Sequence, residues 1–294
     1  MKKLIALVFG VLLAWPMAAQ AAEDSTMTGR LQRIQKHKTI VMGYYETGIP
    51  YSYLDNTGQR GFGVAISKRI AAAIQKHLKL DKLTIRWNPM TVSTRMSLVA
   101  ANVVDVECTS TSHKRKREKH VGFSNTFFVS SNAFATRADS GIKSAQDLIG
   151  KRVAVVAGSR NVKNAKKLGN IILVEEQNNP RAMQALQEGR ADALFSNLGL
   201  VTREMLRIKD ASPYVVYPLG TNASGYACML PKGDKAIKKI ADETIASMMK
   251  NGEMEKLFNQ WFANPIPPYG RSANVQLDKL NKELYLNPND KPLK

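Results

Sequence analysis

Apolar positions along this chain follow two rhythms. Ile66, Ile70, Ile74 and Leu78 recur every fourth residue within residues 61–78 and predict a helix with one buried face. Denser runs of Val, Ile and Tyr at residues 39–45, 83–90 and 105–108 predict strands around it. Shorter helices are predicted over residues 29–37 and 95–101. Near Asn132 a second unit begins: a turn at Gly150, an apolar strand, a Gly158-Ser159 step into a helix, then strand 171–176, helix 180–188 and strand 191–196. Pro180 suits the first turn of that helix and Gly189 its stop. The chain returns through runs at 214–219 and 225–230 to a helical tail broken at Asn251-Gly252, where Met254, Leu257, Phe258 and Trp261 share a face. Asn264-Pro265 ends that helix, and the remaining residues read as a loosely attached extension. Alternating strands and helices predict an α/β fold with largely parallel sheets.

The first residues carry an address. Lys2 and Lys3 precede an apolar run at 4–17 and a small-x-small site at Ala19-Gln20-Ala21. That run is shorter than the roughly 18 residues a membrane span needs. No cysteine lies near the cleavage site to take a lipid. Residues 1–21 are therefore predicted to be a cleavable signal peptide, with the mature protein free in a periplasm from about Ala22. What remains is long enough to predict two lobes rather than one core.

Cys108 and Cys228 suit that compartment as a bridge, closing a loop of about 120 residues; two small buried apolar residues are the other reading. The four histidines are scattered and lack ligand spacing, so no metal site is expected. Formal net charge is +19, and loss of Lys2 and Lys3 takes it to +17. The run HKRKREKH at 113–120 has the look of a polyanion patch. No recognition helix or stacking motif accompanies it, aromatics are 7% of the chain, and an exported protein meets little nucleic acid.

Chemistry concentrates at residues 105–124, DVECTSTSHKRKREKHVGFS. Thr109, Ser110, Thr111 and Ser112 place neutral donors just ahead of Arg117, whose fork takes a carboxylate in two parallel bonds. That arrangement holds a small anion without reacting with it. A solvated charged loop is the plainer reading of the same run.

Across nearly all of its mature length the chain resembles the periplasmic substrate-binding proteins of polar amino-acid ABC transporters, most closely the glutamate/aspartate-binding branch. The resemblance rests on an ordered set: IPYSYLDNTGQRGFGVAI, the surroundings of Arg95, ECTSTS…R…GFS, DLIGKRVAVVAGS, LQEGRADALFSN, GYACMLPKGD and NGEMEKLFNQWFANPIPP. It implies a two-lobed, type II periplasmic binding protein fold, with lobes joined by two crossover strands near residues 129–131 and 221–226. Lobe one would comprise residues 22–130 and 226–294, the latter with a C-terminal extension, and lobe two residues 131–225. Both cysteines then fall on lobe one, which supports the bridge.

The resemblance also implies roles. Arg117 would grip the ligand α-carboxylate, Ser110, Thr111 and Ser112 the carboxylate and amine, and Arg95 a side-chain carboxylate. Ser159 opens a lobe-two helix whose free N–H groups favour an anion. Five positions depart from the branch. Tyr45 stands where it has a second arginine, Val92 replaces a serine, Asn179 falls near a histidine contact, and Arg160 replaces a threonine. Asn197 replaces the aspartate that meets the ligand ammonium; its amide supplies no countercharge. Either a neighbour such as Glu46 substitutes, or the ligand carries no ammonium there.

The implied function is an extracytoplasmic solute receptor, a monomer without cofactor, passing a small carboxylate to permease subunits in the inner membrane. An alternative is a periplasmic dehydratase acting on a cyclic carboxylate. No Ser/His/Asp or Cys/His constellation supports catalysis, and Glu46 and Glu107 are the carboxylates available to it. A sensing domain for a receptor kinase lacks the membrane anchor.

Overall fold

The computed structural model describes residues 29–293, so the signal-peptide reading lies outside it. Two five-stranded sheets organise the chain. The first collects β1 (Thr39–Tyr44), β5 (Thr84–Pro89), β6 (Val106–Glu107), β7 (Gly122–Ser130) and β13 (Ser224–Leu230), in the order β5-β1-β6-β13-β7. The second collects β8 (Asn132–Arg137), β9 (Arg152–Val156), β10 (Ile172–Glu176), β11 (Ala193–Asn197) and β12 (Tyr214–Pro218), in the order β10-β9-β11-β8-β12. A small antiparallel meander, β2 (Thr47–Gly48), β3 (Ser52–Asp55) and β4 (Gly58–Arg60), follows β1. In each large sheet three strands run parallel, β5, β1 and β6 or β10, β9 and β11. Antiparallel pairings complete each sheet through β13 and β8, so the expectation of largely parallel sheets holds for only part of each.

Those antiparallel strands are where the chain changes sheet. β7 leads into β8 through Ser131, and β12 returns to β13. The two passages are tied together: Asn132 N–H donates to the Thr221 carbonyl (2.9 Å), and Leu219 N–H to the Asn132 carbonyl (2.8 Å).

The predicted amphipathic helix is α2 (Phe62–His77), following the first helix α1 (Arg30–His37). Ile66, Ile70 and Ile74 have no exposed surface. Gly63 lets α2 approach the site-bearing strand: a Cβ there would lie 1.8 Å from the Cys108 carbonyl oxygen. The backbones can meet only without a side chain. Then come α3 (Arg95–Ala100), α4 (Arg160–Lys166) and α5 (Asn179–Gln187).

Two helices depart from the sequence reading. α6 (Leu198–Arg207) was not predicted; Leu198, Val201 and Met205 bury one face of it. After α7 (Lys235–Lys250) and α8 (Glu253–Phe258), the tail forms α9 (Lys279–Leu286), not a loose extension. Asn281 of α9 accepts from Val129 N–H (2.8 Å) and donates to its carbonyl (2.9 Å), docking on β7. Gln276 N–H reaches the Val216 carbonyl on β12 (3.0 Å). β7 and β12 are the outer strands of their sheets, and the tail covers both edges.

Candidate anion site at the strand ends

The carboxyl ends of β1, β5 and β6 deliver Tyr45, Arg95 and the run from Glu107 to one edge of the first sheet. Ligands of open α/β sheets bind outside such ends. Cys108 and Cys228 are bridged, with Cα atoms 4.2 Å apart, pinning the end of β6 to β13. The bridge reading holds.

Arg95, the first residue of α3, is buried, yet its guanidinium is well bonded on one side. Nη1 donates to the Tyr45 hydroxyl and to Thr111 Oγ1, each at 2.7 Å. Thr111 in turn donates to Glu107 Oε1 (3.0 Å), and Thr109 donates to the same oxygen. Glu107 has no exposed surface. Its Oε2 and the Arg95 Nε are buried without a hydrogen-bond partner among the described residues. Burial pushes the Glu107 carboxyl up to about 7, against the opposing pull of the Thr109 hydroxyl and the Arg95 charge. The Tyr45 hydroxyl is raised too, by burial first and by Glu107 second.

Arg117 approaches from the far side of the hydroxyl run. It is half-buried, and Nη1 donates to the Ser112 carbonyl (2.7 Å). Turn bonds from Arg117 N–H to Lys114 (2.8 Å) and from His120 N–H to Arg117 (2.9 Å) place it. His113 anchors the loop, stacking on Phe123 at 4.3 Å and bonding Glu118 at 2.8 Å. Outward, Lys114, Arg115, Lys116 and Lys119 are exposed. Burial lowers the Arg117 guanidinium, and the positive charge of Arg95 lowers it further. Two guanidiniums therefore share one electrostatic neighbourhood. Ser110 and Ser112 are half-buried beside them, while Val92, 70% exposed, adds no polar group.

The other predicted residues stand at the matching edge of the second sheet. Ser159 follows β9, Asn179 follows β10 and Asn197 ends β11, all parallel strands. Ser159 Oγ donates to the Val156 carbonyl (2.6 Å), Arg160 is exposed, and Asn179 is half-buried at the start of α5. Asn197 is exposed and caps α6, its Oδ1 accepting from Leu200 N–H (3.0 Å). None of these bonds joins them to the Arg95 group. Glu46 is also apart from Asn197: it is exposed and lines a cavity of about 370 Å³ with Arg203 and Arg207, toward the far end of α6.

Glu107 and Thr109 were read as a cleft carboxylate and a neutral donor, but their hydrogen-bonded link to Arg95 through Thr111 was not foreseen. The signal was present, an acid two and four residues ahead of hydroxyls on a short strand, but only the fold brings Arg95 to Thr111.

Residues 40–264 match the model of the bacterial extracellular solute-binding proteins, family 3. The chain is 31% identical over 291 residues to the L-glutamate/L-aspartate-binding protein of Pseudomonas aeruginosa, covering 97% of this chain and 95% of that one. It is 32% identical over 282 residues to the glutamate/aspartate import solute-binding protein of Escherichia coli (strain K12), covering 94% and 93%. Among solved structures, a polar amino acid ABC uptake transporter substrate binding protein from Streptococcus thermophilus superposes with a TM-score of 0.66 at 22% identity, over 81% of this chain and 91% of that one. That likeness establishes the two-lobed fold.

Proposed function

Because this chain belongs to the bacterial extracellular solute-binding proteins of family 3, we propose that it captures an acidic amino acid, glutamate or aspartate, for an ABC importer. The observation that carries this reading is the pair of guanidiniums, Arg95 and Arg117, set at the strand ends over a row of hydroxyls. Arg117 takes the α-carboxylate, with Ser110 and Ser112 beside it. Arg95, oriented by Tyr45 and Thr111, takes the distal one. Residues 22–130 and 226–294 act as one lobe and 131–225 as the other. Ser159, Arg160, Asn179 and Asn197 meet the ligand when the lobes close, and the closed form is favoured because only there do both contact it. Each charge-assisted bond contributes about 1.5–3 kcal/mol, so two guanidiniums that each make two such bonds supply about 6–12 kcal/mol, a range that spans the roughly 8 kcal/mol of micromolar binding. The mature protein acts as a periplasmic monomer, released by its signal peptide, and docks on permease subunits. It binds without turnover: Glu107 has no accessible surface with which to protonate a substrate, and exposed Glu46 lines a different cavity with Arg203 and Arg207.

A second reading follows from Asn197. Because Oδ1 caps α6, the group left to face a ligand is the Nδ2 donor. An aspartate could cap with one oxygen and accept from an ammonium with the other; the asparagine cannot. This favours a dicarboxylate without an ammonium group. Calorimetry on unfolded, refolded, ligand-free protein tests both readings, with L-glutamate, L-aspartate and 2-oxoglutarate as titrants. Heat from the amino acids supports the first, heat from 2-oxoglutarate alone the second, and heat from none removes both.

A further inference from the structure

The buried carboxyl beneath the two guanidiniums has no part in gripping a ligand, yet it bears on their charge. Glu107 sits on β6, flanked by Gly43 of β1 and Met229 of β13. The charged and titratable groups facing it are Arg95 from α3, Tyr45 from the end of β1 and Arg117 from the basic loop, with Tyr226 of β13 reaching Arg95. Hydroxyls of Thr109 and Thr111 cover one of its oxygens, and the other is buried without a hydrogen-bond partner among the described residues. An ionised carboxylate left half-bonded away from water is costly, and a neutral carboxyl much less so. Charge counting points the same way. With Glu107 neutral, the two guanidiniums match the two carboxylates of a dicarboxylate ligand. With Glu107 ionised, a third carboxylate competes for the same two cations.

We propose that Glu107 takes up a proton when a dicarboxylate binds, so that this buried side chain tunes the charge of the site without touching the ligand. The proposal rests on the anion-receptor reading above. An incoming carboxylate at Arg95 withdraws the counterion that favours ionised Glu107, whose carboxyl already lies near 7. By reciprocity, the proton and the ligand strengthen each other's binding. Affinity therefore falls as pH rises through neutrality, by up to about tenfold per unit while one proton is linked to binding.

The test is calorimetry at pH 7 in two buffers of contrasting ionisation enthalpy, with L-glutamate and, in parallel, 2-oxoglutarate. The wild type is expected to take up about half a proton per ligand. Whatever affinity remains in Glu107→Gln carries no proton, because an amide does not titrate. A wild-type series from pH 6 to 8.5 stands even if the variant fails to fold. Neither titrant's carboxylates change state in that window. Zero uptake with a flat series, or equal uptake in the variant, overturns the proposal while leaving the receptor reading intact. Absence of binding by either titrant overturns the receptor reading and this inference with it.

Discussion

The two groups of candidate residues are built differently. At the first sheet, Arg95 and Glu107 are buried and joined through Thr111, and the Cys108–Cys228 bridge holds their strand. At the second, Arg160 and Asn197 are exposed, and Asn197 spends its oxygen on a helix cap. One edge is assembled before any ligand arrives; the other presents groups still in water. A receptor that closes on its ligand has reason for that asymmetry. Preorganised donors lose little freedom on binding.

Substitution should expose the difference. Arg95→Ala is expected to lower folding stability by on the order of 3 kcal/mol, since two charge-assisted bonds from a buried guanidinium are lost and the Tyr45 hydroxyl and Thr111 lose that partner. Urea unfolding measures it, and Arg160→Ala, about 0.5 kcal/mol or less, is the contrast from the other edge. A similar cost for both would erase the distinction. Glu107 sharpens it through pH. Its carboxyl is raised in the fold from 4.5 to about 7, so its contribution is fully present below about 4.5 and lost as pH rises through 7. The stability of Glu107→Gln relative to wild type should therefore grow by on the order of 3 kcal/mol between pH 4.5 and 8. A difference that does not change with pH would mean Glu107 is not held neutral by burial.

Binding divides along the same line. Arg117→Ala is expected to cost about 2–5 kcal/mol of affinity, weakening micromolar binding roughly 30-fold or more, with little effect on the melting temperature. Asn197→Ala is a smaller effect than Arg117→Ala: about 1 kcal/mol of stability from the lost cap on α6, restored by Asn197→Asp. If the aspartate also admits an amino acid that the asparagine refused, the unfilled ammonium contact is located.

Much of the scaffold was legible because the periodicities are strong. Ile66, Ile70 and Ile74 marked α2, and the strands at 39–45 and 171–176 fell within a residue or two of β1 and β10. α6 was missed because the strand before it runs to its first residue, leaving Asn197 as the only punctuation. The tail looked loose because it is rich in Lys and Asn; Leu280 and Leu284 do carry helical spacing, but the role of Asn281 exists only against Val129, 152 residues away. The site divides similarly. Arg117 and its hydroxyl run lie within one segment and could be read there. The contacts from Arg95 to Tyr45 and Thr111 span 50 and 16 residues, and no local pattern encodes them.

The claim that two guanidiniums at the strand ends hold the ligand is tested most directly by a crystal structure of the refolded protein soaked with the titrant that binds. Arg117 and Arg95 are expected to lie each about 3 Å from a different ligand carboxylate. A bound ligand whose carboxylates avoid both, with Arg117 still on the Ser112 carbonyl alone and Arg95 still on Tyr45 and Thr111 alone, would contradict it.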